Sequence, residues 1–491
     1  MPSVSRLIET WRIALDYRHL YSHLPVFCQN VLCSLYGARL IRRRYGNAYE
    51  TLEREVFERQ RWAPERIETF ARRRCQAIVK HAASTVPYYR RLFAEMHIDP
   101  QDISGPEDLK ALPILDKQTV QENLADCHCD LKNEMRCRTM HTSGTTGTGL
   151  IFPMTLEAEQ EQWAVWWRHR ARFGLDRNTW YAHFHGKSIV PFENSKPPFW
   201  RVNRPGRQIL FSAYHMSDHN LPFYVNELNR RQPLWIQGYP SLLALLGSFM
   251  LEKEYELNYR PKVIMAASEN LLPQQKRVIE KAFGVACRQH YGMAEGVGNI
   301  SECPEGNLHV DEDYAHIEFL PTDTDDDSYR IIGTNYTNYA FPLLRYDTGD
   351  VAELESPEKI CPCGAPGRLV KSIDGRREDY VLTPNGRCIG RLDHIFKDMV
   401  NIKECQILQE HLERVVFRIV RGKGYTEKDE KTLLHEAVKR LGGQIKIEIV
   451  YVEKLERSAR GKLRFVISKI PSAIIQTLEG KTVETTRSQT Q

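Results

Sequence analysis

The spacing of apolar and polar residues divides the chain into three parts. Up to about residue 100, apolar positions recur every three or four residues and glycine and proline are scarce, which predicts helices. From about Arg138 onward, short apolar or β-branched runs such as Lys262 to Ala266 alternate with helical stretches such as Pro273 to Phe283. This alternation is typical of α/β layers in which helices cover a sheet.

The pattern of apolar and polar residues changes a second time near Gly375. A charged turn there precedes a C-terminal segment with the pattern of a strand, a helix and a strand. Leu433 to Leu441 has the pattern of a helix, and Ile445 to Val452 alternates as a strand does. A tail of about 110 residues lies within the usual range for a domain. We therefore expect an α/β protein in three parts: a helical N-terminal region (1–100), a core (101–377) and a C-terminal domain (378–491).

Composition and charge narrow the class of protein. Of the 491 residues, 42% are apolar and 27% are charged, which is ordinary for a folded protein of two or more domains. The net charge of +5 is small and the basic residues are spread along the chain, so we predict no nucleic-acid partner. No basic segment followed by an apolar run opens the chain, which favours a cytoplasmic location with reduced cysteines.

The most apolar early stretch, Leu24 to Leu40, is interrupted by polar residues. A membrane-spanning helix needs ~20 mainly apolar residues, so we expect no transmembrane span. The basic run Arg42-Arg43-Arg44 that follows leaves a peripheral membrane contact open, although we favour a solvated helix end there.

The strongest local feature is the segment from Thr142 to Gly149, in which three glycines alternate with five hydroxyl side chains. Backbone N–H groups and hydroxyls in such a flexible loop can surround a polyphosphate. The segment is not a Walker loop, because the required Gly-Lys-Ser/Thr ending is absent. A plain surface turn is the alternative.

Further motifs follow in order and at long range: Tyr291-Gly292-Met293-Ala294-Glu295, Tyr346-Asp347-Thr348-Gly349-Asp350, Gly375-Arg376 and Gly461-Lys462. With these motifs the chain resembles the adenylate-forming superfamily of acyl-CoA synthetases, over about residues 75 to 470. Within that superfamily it looks like the phenylacetate-CoA ligase and CapK-like capsule-biosynthesis branch. The stretches that carry this finer likeness are Val86 to Arg90, Leu112 to Lys117, Gln237 to Ser241 and Asn401 to Glu404.

The resemblance implies a fold and a set of site residues. The fold would be that of adenylate-forming enzymes, with the ATP and acyl sites in the core and a small mobile C-terminal domain. The phosphate loop would comprise Thr142, Ser143, Gly144, Thr145, Thr146 and Gly147, with Thr145 taking part in catalysis. Glu295 would hold Mg²⁺, since a hard cation that bridges phosphates needs oxygen ligands. An exposed acid at the start of a helix is the alternative for Glu295.

The nucleoside would be held by the next motifs. Asp350 would accept hydrogen bonds from both ribose hydroxyls, because a carboxylate offers two oxygens. Tyr291 would stack on adenine within the segment that also contains Gly292, Met293 and Ala294, although a core tyrosine is a serious alternative. Arg376 would lie near the ribose or the phosphates, with a surface ion pair as the alternative.

Lys462 has the most demanding role that the resemblance implies. Members of the superfamily use one lysine to neutralise charge while the carboxylate attacks the α-phosphate, and a compact lysine cation can be delivered by a moving domain. A solvated lysine near the chain end is the alternative. Two positions depart from the common pattern: Gly149-Leu150 replaces a Pro-Lys pair, and Glu378 replaces the usual hinge aspartate.

Four residues form a candidate metal cluster: Cys303, His309, Cys361 and Cys363. Three thiols and an imidazole suit tetrahedral Zn²⁺, although the single residue between Cys361 and Cys363 is tighter than usual finger spacing. Some members of the branch carry a structural metal in this region. Reduced loop cysteines are the alternative.

The acyl pocket of the family would fall at His183 to Gly186 and at Ser268, Glu269 and Asn270. Histidines there favour a polar or anionic acid, and ordinary packed histidines are the alternative. Ser268 and Glu269 are also expected to border the nucleotide.

The resemblance predicts a ligase that converts a carboxylic acid and Mg-ATP into acyl-AMP and pyrophosphate. The acceptor would be CoA or an amine or hydroxyl of a saccharide, in polysaccharide biosynthesis. Two alternatives stay open: an adenylyltransferase that stops at the AMP adduct, and a non-catalytic nucleotide-binding scaffold in polysaccharide assembly. A homodimer is also left open.

Overall fold

The structure, a computed structural model, describes most of the chain in several ranges. These are residues 20–46, 49–142, 150–186, 188–269, 271, 273–322, 328–375, 381–384, 388–389, 392–396, 401–422, 424–453, 455 and 466–470. Among them, no helix combines the length and the apolar character that crossing a bilayer requires.

The α-helices of the described residues are α1 (Val26–Arg44), α2 (Tyr49–Arg59), α3 (Pro64–Thr85), α4 (Pro87–Glu95), α5 (Lys117–Glu122), α6 (Leu156–Ala171), α7 (Leu221–Arg231), α8 (Pro240–Glu252), α9 (Pro273–Phe283) and α10 (Glu427–Leu441). Short 3₁₀ helices cover Pro106–Ala111, Ala213–His215 and Leu392–Phe396. The helices predicted near the N-terminus and at Pro273 to Phe283 are therefore confirmed.

The first ten strands are β1 (Cys137–His141), β2 (Ile151–Thr155), β3 (Tyr181–His185), β4 (Trp200–Asn203), β5 (Gln208–Ser212), β6 (Trp235–Gly238), β7 (Ile264–Ala267), β8 (Cys287–Gly292), β9 (Asn299–Glu302) and β10 (Leu308–Val310). The others are β11 (Ala315–Pro321), β12 (Ser328–Asn335), β13 (Tyr346–Leu354), β14 (Leu369–Gly375), β15 (Val381–Leu382), β16 (Cys388–Ile389), β17 (Ile402–His411), β18 (Arg414–Arg421), β19 (Lys446–Tyr451) and β20 (Val466–Ser468).

Contacts divide the chain into two units. The first unit comprises residues 1–50, 173–266 and 272–288, and the second comprises 51–172, 267–271 and 289–491, in each case as far as they are described. The predicted boundaries at residues 100 and 377 stay a prediction.

The first unit is built on a mainly parallel sheet. Its strand order is β7-β6-β3-β5-β4, in which only the edge strand β4 pairs antiparallel. Trp235, Ile236 and Phe184 are fully buried, as expected for parallel strands that helices cover on both faces. The carboxyl ends of β3, β5, β6 and β7 therefore lie along one edge, where α/β proteins place their ligands.

The second unit contains an antiparallel sheet in the order β11-β12-β13-β14-β10-β9-β8. Its apolar core comprises Ile300, Leu308, Val310, Ile317, Ile331, Ala352, Val370 and Ile373. Tyr291 of β8 also packs on this core and contacts Asp350 of β13, although three strands separate β8 from β13 in the sheet order. The sheet must therefore curl around its core.

The C-terminal segment forms a four-stranded sheet in the order β19-β18-β17-β20, with α10 packed on it. Leu433, Ala437 and Leu441 of α10 lie in one buried cluster with Ile407 and Phe417 of the sheet. The helix and the strand predicted in this tail are confirmed, and the helix begins six residues earlier than its apolar pattern because Thr426 and Asp429 form a capping box.

Helix α6 is buried along most of its length, charged residues included. Arg168 donates from Nη1 and Nη2 to both carboxylate oxygens of Asp313 at 2.8 Å, and from Nη2 to Asp311 at 2.7 Å. Burial alone would lower the pKa of Arg168, but the two carboxylates outweigh it and raise that pKa. Arg168 likewise holds the pKa of Asp311 and of Asp313 below the usual range despite their burial.

We expect Arg168→Met to lower the free energy of unfolding by about 3 to 5 kcal/mol, because it removes the cation that two buried carboxylates share and leaves Asp313 only its 3.5 Å contact with Arg59. In the variant the folded-state pKa of these carboxyls rises above the unfolded value, so the loss should be larger at neutral pH than at mildly acidic pH. Chemical denaturation at both pH values measures this. Arg90→Met, which breaks the half-exposed pair with Asp130, should cost about 1 kcal/mol or less.

Candidate active site

The residues on either side of the predicted phosphate loop belong to a pair of antiparallel strands. Strands β1 and β2 pair antiparallel up to His141 and Ile151. The N–H of Thr142 donates to the Leu150 carbonyl at 3.0 Å, and the N–H of Leu150 donates to Thr142 Oγ1 at 2.8 Å. These bonds close the base of the loop. Its other predicted members, Ser143, Gly144, Thr145, Thr146 and Gly147, lie outside the described residues.

Asn338 holds the hairpin from the side. Its Oδ1 accepts from the N–H of Thr155 at 3.2 Å, and its Nδ2 donates to the Pro153 carbonyl at 2.9 Å. Phe152 stacks on Phe341 with ring centroids 5.2 Å apart. The segment around Asn338 therefore fixes where β2 ends and α6 begins, and no pattern in the sequence pointed to this residue.

Two motifs that are 59 residues apart in sequence meet directly. The Tyr291 hydroxyl at the end of β8 donates to Asp350 Oδ2 on β13 at 2.8 Å. The neighbouring Asp347 has a different role, since it pairs with Arg330 at 2.6 Å and accepts from the N–H of Gly349 at 2.9 Å. Gly349 has φ of +76°, a conformation that favours glycine, so the Thr-Gly turn needs this residue.

Glu295 lies in the turn between β8 and β9 and is 6% exposed. It is therefore not an exposed acid at a helix start, which was the alternative interpretation. Two side-chain amides hold this turn by its backbone: Gln162 Nε2 donates to the Met293 carbonyl at 2.8 Å and Asn335 Nδ2 donates to the Glu295 carbonyl at 3.4 Å. Gly296, with φ of +70°, completes the turn.

A layer of polar aromatic residues lies behind β8. His169 and His290 stack with centroids 5.3 Å apart, and Asn299 Oδ1 accepts from Trp166 Nε1 at 3.1 Å and from His290 Nε2 at 2.9 Å. Burial lowers the pKa of His290 to about 4 and that of His169 well below its usual value. Both imidazoles are therefore neutral near pH 7 and position β8 without adding charge.

The four candidate metal ligands come together. The ligand atoms of Cys303, His309, Cys361 and Cys363 all lie within 4.8 Å of one another. Cys303 Sγ is 3.6 Å from Cys361 Sγ, and Cys363 Sγ is 3.4 Å from His309 Nε2. Tetrahedral Zn²⁺ with ordinary bond lengths separates two sulfurs by about 3.8 Å and a sulfur from a nitrogen by about 3.6 Å. The cluster therefore has the size of a zinc site.

Groups around the cluster favour ligation. His309 Nδ1 bonds to the Pro366 carbonyl at 3.3 Å, which leaves Nε2 facing the thiols as the unprotonated nitrogen. Burial lowers the pKa of His309, so the imidazole is neutral as a ligand must be. Asn307 Nδ2 donates to Cys361 Sγ at 3.2 Å and the N–H of Ala365 to Cys363 Sγ at 3.4 Å, and both bonds stabilise thiolates.

The histidines predicted at the acyl site lie on β3 in the first unit. His183 and His185 are two residues apart, so they face the same side of the strand, and their rings are 4.5 Å apart. The Tyr214 hydroxyl donates to the Gly186 carbonyl at 2.6 Å and so fixes the end of this strand. In the second unit, Ser268 has φ of +70° and Glu269 is half-buried.

Four other residues of the predicted sites lie outside the described residues: Arg376, Glu378, Lys462 and Asn270. Their roles stay predictions.

The comparisons with known proteins agree with this geometry. Residues 381–469 match the family model of the CapK C-terminal domain. Protein CapK of Staphylococcus aureus is 26% identical over 465 residues, which are 92% of this chain and 99% of that protein. Phenylacetate-coenzyme A ligase of Thermus thermophilus is 25% identical over 342 residues, 65% of this chain and 72% of that ligase. The chain is therefore similar to CapK and to phenylacetate-coenzyme A ligases.

These relatives confirm the resemblance to the phenylacetate-CoA ligase and CapK branch that the motifs predicted. A structure of 2-hydroxyisobutyryl-CoA ligase in complex with 2-HIB-AMP and CoA in the thioesterification state is also similar. It matches with a TM-score of 0.55 at 19% identity, over 86% of this chain and 94% of that chain. This likeness confirms the predicted α/β fold of the adenylate-forming superfamily.

For the cysteine cluster we expect about one zinc ion per purified chain. Cys361→Ser should lose the metal and some thermal stability, because metal binding contributes directly to folding where a site joins separate loops. Metal analysis after gentle purification measures the content. Cys137→Ser, which changes an exposed cysteine outside the cluster, should keep both metal and stability. Wild-type protein without zinc would reduce the cluster to packed thiols.

Proposed function

We propose that this adenylate-forming enzyme uses ATP and Mg²⁺ to activate a carboxylic acid as acyl-AMP, and then transfers the acyl group to CoA. The observation that supports this most directly is the hydrogen bond between Tyr291 and Asp350, which joins two distant motifs beside the buried Glu295 turn. An aromatic ring, a carboxylate for two hydroxyls and a carboxylate for a cation are what a magnesium nucleotide requires.

In this proposal each carboxylate has its own role. Asp350 would accept hydrogen bonds from the ribose hydroxyls, and Tyr291 orients Asp350 through its hydroxyl while its ring would border adenine. Glu295 would hold Mg²⁺, which would neutralise phosphate charge, and the amides of Gln162 and Asn335 keep its turn in place. The hairpin loop from Ser143 to Gly147 surrounds the phosphates with N–H and hydroxyl donors.

The first step is an in-line displacement. A carboxylate oxygen of the acid attacks the α-phosphorus of ATP, the bond from that phosphorus to the bridging oxygen breaks, and pyrophosphate leaves. The protein contributes positioning and charge neutralisation more than covalent chemistry. Lys462 supplies the mobile cation, which the C-terminal domain brings to the site by rotating about the segment around Glu378.

The classes of acid and acceptor are inferred from the residues near the predicted acyl site and from the relatives. His183 and His185, adjacent on one face of β3, favour an acid with a second polar or anionic group. CoA is the acceptor that the similarity to acid-CoA ligases supports. An amine or hydroxyl of a saccharide in polysaccharide biosynthesis is the second candidate, and the match to the CapK C-terminal domain favours it.

ATP–pyrophosphate exchange over a panel of carboxylic acids, with and without CoA, tests the proposal. Exchange with a subset of acids, followed by CoA-dependent release of AMP, is the expected result. A stable AMP adduct with no CoA consumption would favour an adenylyltransferase. Failure of exchange with every acid, while ATP still binds, would favour a nucleotide-binding scaffold.

We expect Asp350→Asn to raise the KM for ATP in pyrophosphate exchange by roughly tenfold to a hundredfold, because hydrogen bonds to a charged group contribute ~1.5 to 3 kcal/mol. The matched variant Asp347→Asn loses the pair with Arg330. It should lower the melting temperature more than it changes the KM. Equal effects of the two variants on the KM would contradict the separate roles of these carboxylates.

Lys462→Ala should slow acyl-AMP formation by roughly a hundredfold or more, because a preorganised charge at the transition state contributes ~2.7 to 4 kcal/mol. Binding of ATP should change little. The control is Lys469→Ala, whose ammonium pairs with Glu410 on the surface at 2.9 Å. Near-normal exchange in Lys462→Ala would remove this lysine from the chemistry.

A further inference from the structure

Helix α1 in the first unit has its polar side inward. Gln29 and Gly37 are the buried residues of this helix, and Gln29 Oε1 accepts from Nε of the buried Arg201 at 2.6 Å. On the opposite side, Phe27 and Leu35 are 75% and 62% exposed. A helix that packs on a protein core normally shows the reverse arrangement.

The outward apolar residues are grouped. Phe27, Val31 and Leu35 follow one another at intervals of four, so they form a stripe along the helix. Together with Trp180, Val202 and Pro205 they line a groove of about 690 Å³ beside β4. Leu32 and Tyr36, which each follow a residue of the stripe on the same helix, are also exposed. We name this surface, from Phe27 to Leu35 with its groove, the α1 face.

Basic residues surround the α1 face. Arg204, Arg207 and Arg231 line the groove itself, and the exposed Arg39 and Arg42 follow the apolar stripe on the same helix. From Leu20 to Tyr49 the sequence contains no aspartate or glutamate. Of these arginines, Arg231 also pairs with Glu227 at 2.8 Å. An apolar stripe with exposed arginines beside it complements a surface that is apolar inside and anionic outside.

We propose that the α1 face docks the protein onto an anionic phospholipid surface, with the apolar stripe among the acyl chains and the arginines among the headgroup phosphates. Amphipathic helices bind membranes in this way, through buried apolar area and attraction to anionic lipid together. The partner that competes for such a face is a second copy of the chain. Self-association through α1 would place the exposed arginines of two copies beside one another, and this repulsion disfavours it.

Sedimentation of the full-length protein with vesicles tests this docking. Vesicles that contain phosphatidylglycerol should bind at least about tenfold more protein than pure phosphatidylcholine vesicles, and added salt should reduce the difference. Phe27→Ser/Leu35→Ser should lower binding at least about tenfold. Arg204→Glu/Arg207→Glu should do the same for anionic vesicles only.

Matched variants distinguish docking through the α1 face from nonspecific binding to vesicles. Ile360→Ser removes a side chain that is 88% exposed in the second unit, and Arg90→Glu/Arg91→Glu reverses two exposed charges there. Both should bind vesicles as the wild type does. Phe27→Ser/Leu35→Ser should retain pyrophosphate exchange without vesicles, so docking and the proposed function fail separately. Absence of vesicle binding, or a dimer in sedimentation equilibrium that Phe27→Ser/Leu35→Ser dissociates, would overturn the proposal.

Discussion

The buried ion pairs of Arg168 with Asp311 and Asp313 fix the helix on which the candidate nucleotide site depends. Helix α6 begins directly after β2, the strand that follows the predicted phosphate loop, and Thr155 caps it by accepting from the N–H of Ala158 at 3.1 Å. Half-way along, Gln162 holds the turn before Glu295. Near its end, Arg168 is bound by the segment that links β10 to β11. One helix thus connects the end of β2, the turn of Glu295 and the segment between β10 and β11.

The buried charges of α6 add little net stability, because a buried ion pair is about as stable as apolar side chains of equal volume in its place. Their geometry is more restrictive, however. Arg168 meets Asp313 with two parallel bonds, and Glu161 on the same helix receives bonds from both Arg59 and Arg74. Such pairs fix both the rotation of α6 about its axis and its position along that axis. In this position the Gln162 amide reaches the Met293 carbonyl.

Sequence reasoning could find the residues that have a pattern of their own. The hairpin loop, the Tyr291 and Asp350 motifs and the four cluster ligands are recognisable from residue type and spacing. Gln162, Asn335 and Asn338 are not, because an amide that binds a distant carbonyl has no periodicity or local partner in the sequence. The charged residues of α6 suggest a solvated helix face, and their burial is compensated by partners distant in sequence, such as Asp311 and Asp313 for Arg168 and Arg59 and Arg74 for Glu161.

The cysteine cluster bears on the same site through the connections it joins. Cys303 directly follows β9, His309 lies on β10, and Cys361 and Cys363 belong to the loop between β13 and β14. Strand β13 carries Asp350, and β9 pairs with β8, which carries Tyr291. A metal bound by these four residues would fix the loop after β13 to the hairpin after β9. It would thereby hold together the two sides of the sheet between which the Tyr291 and Asp350 bond forms, so loss of metal should loosen the proposed ribose site.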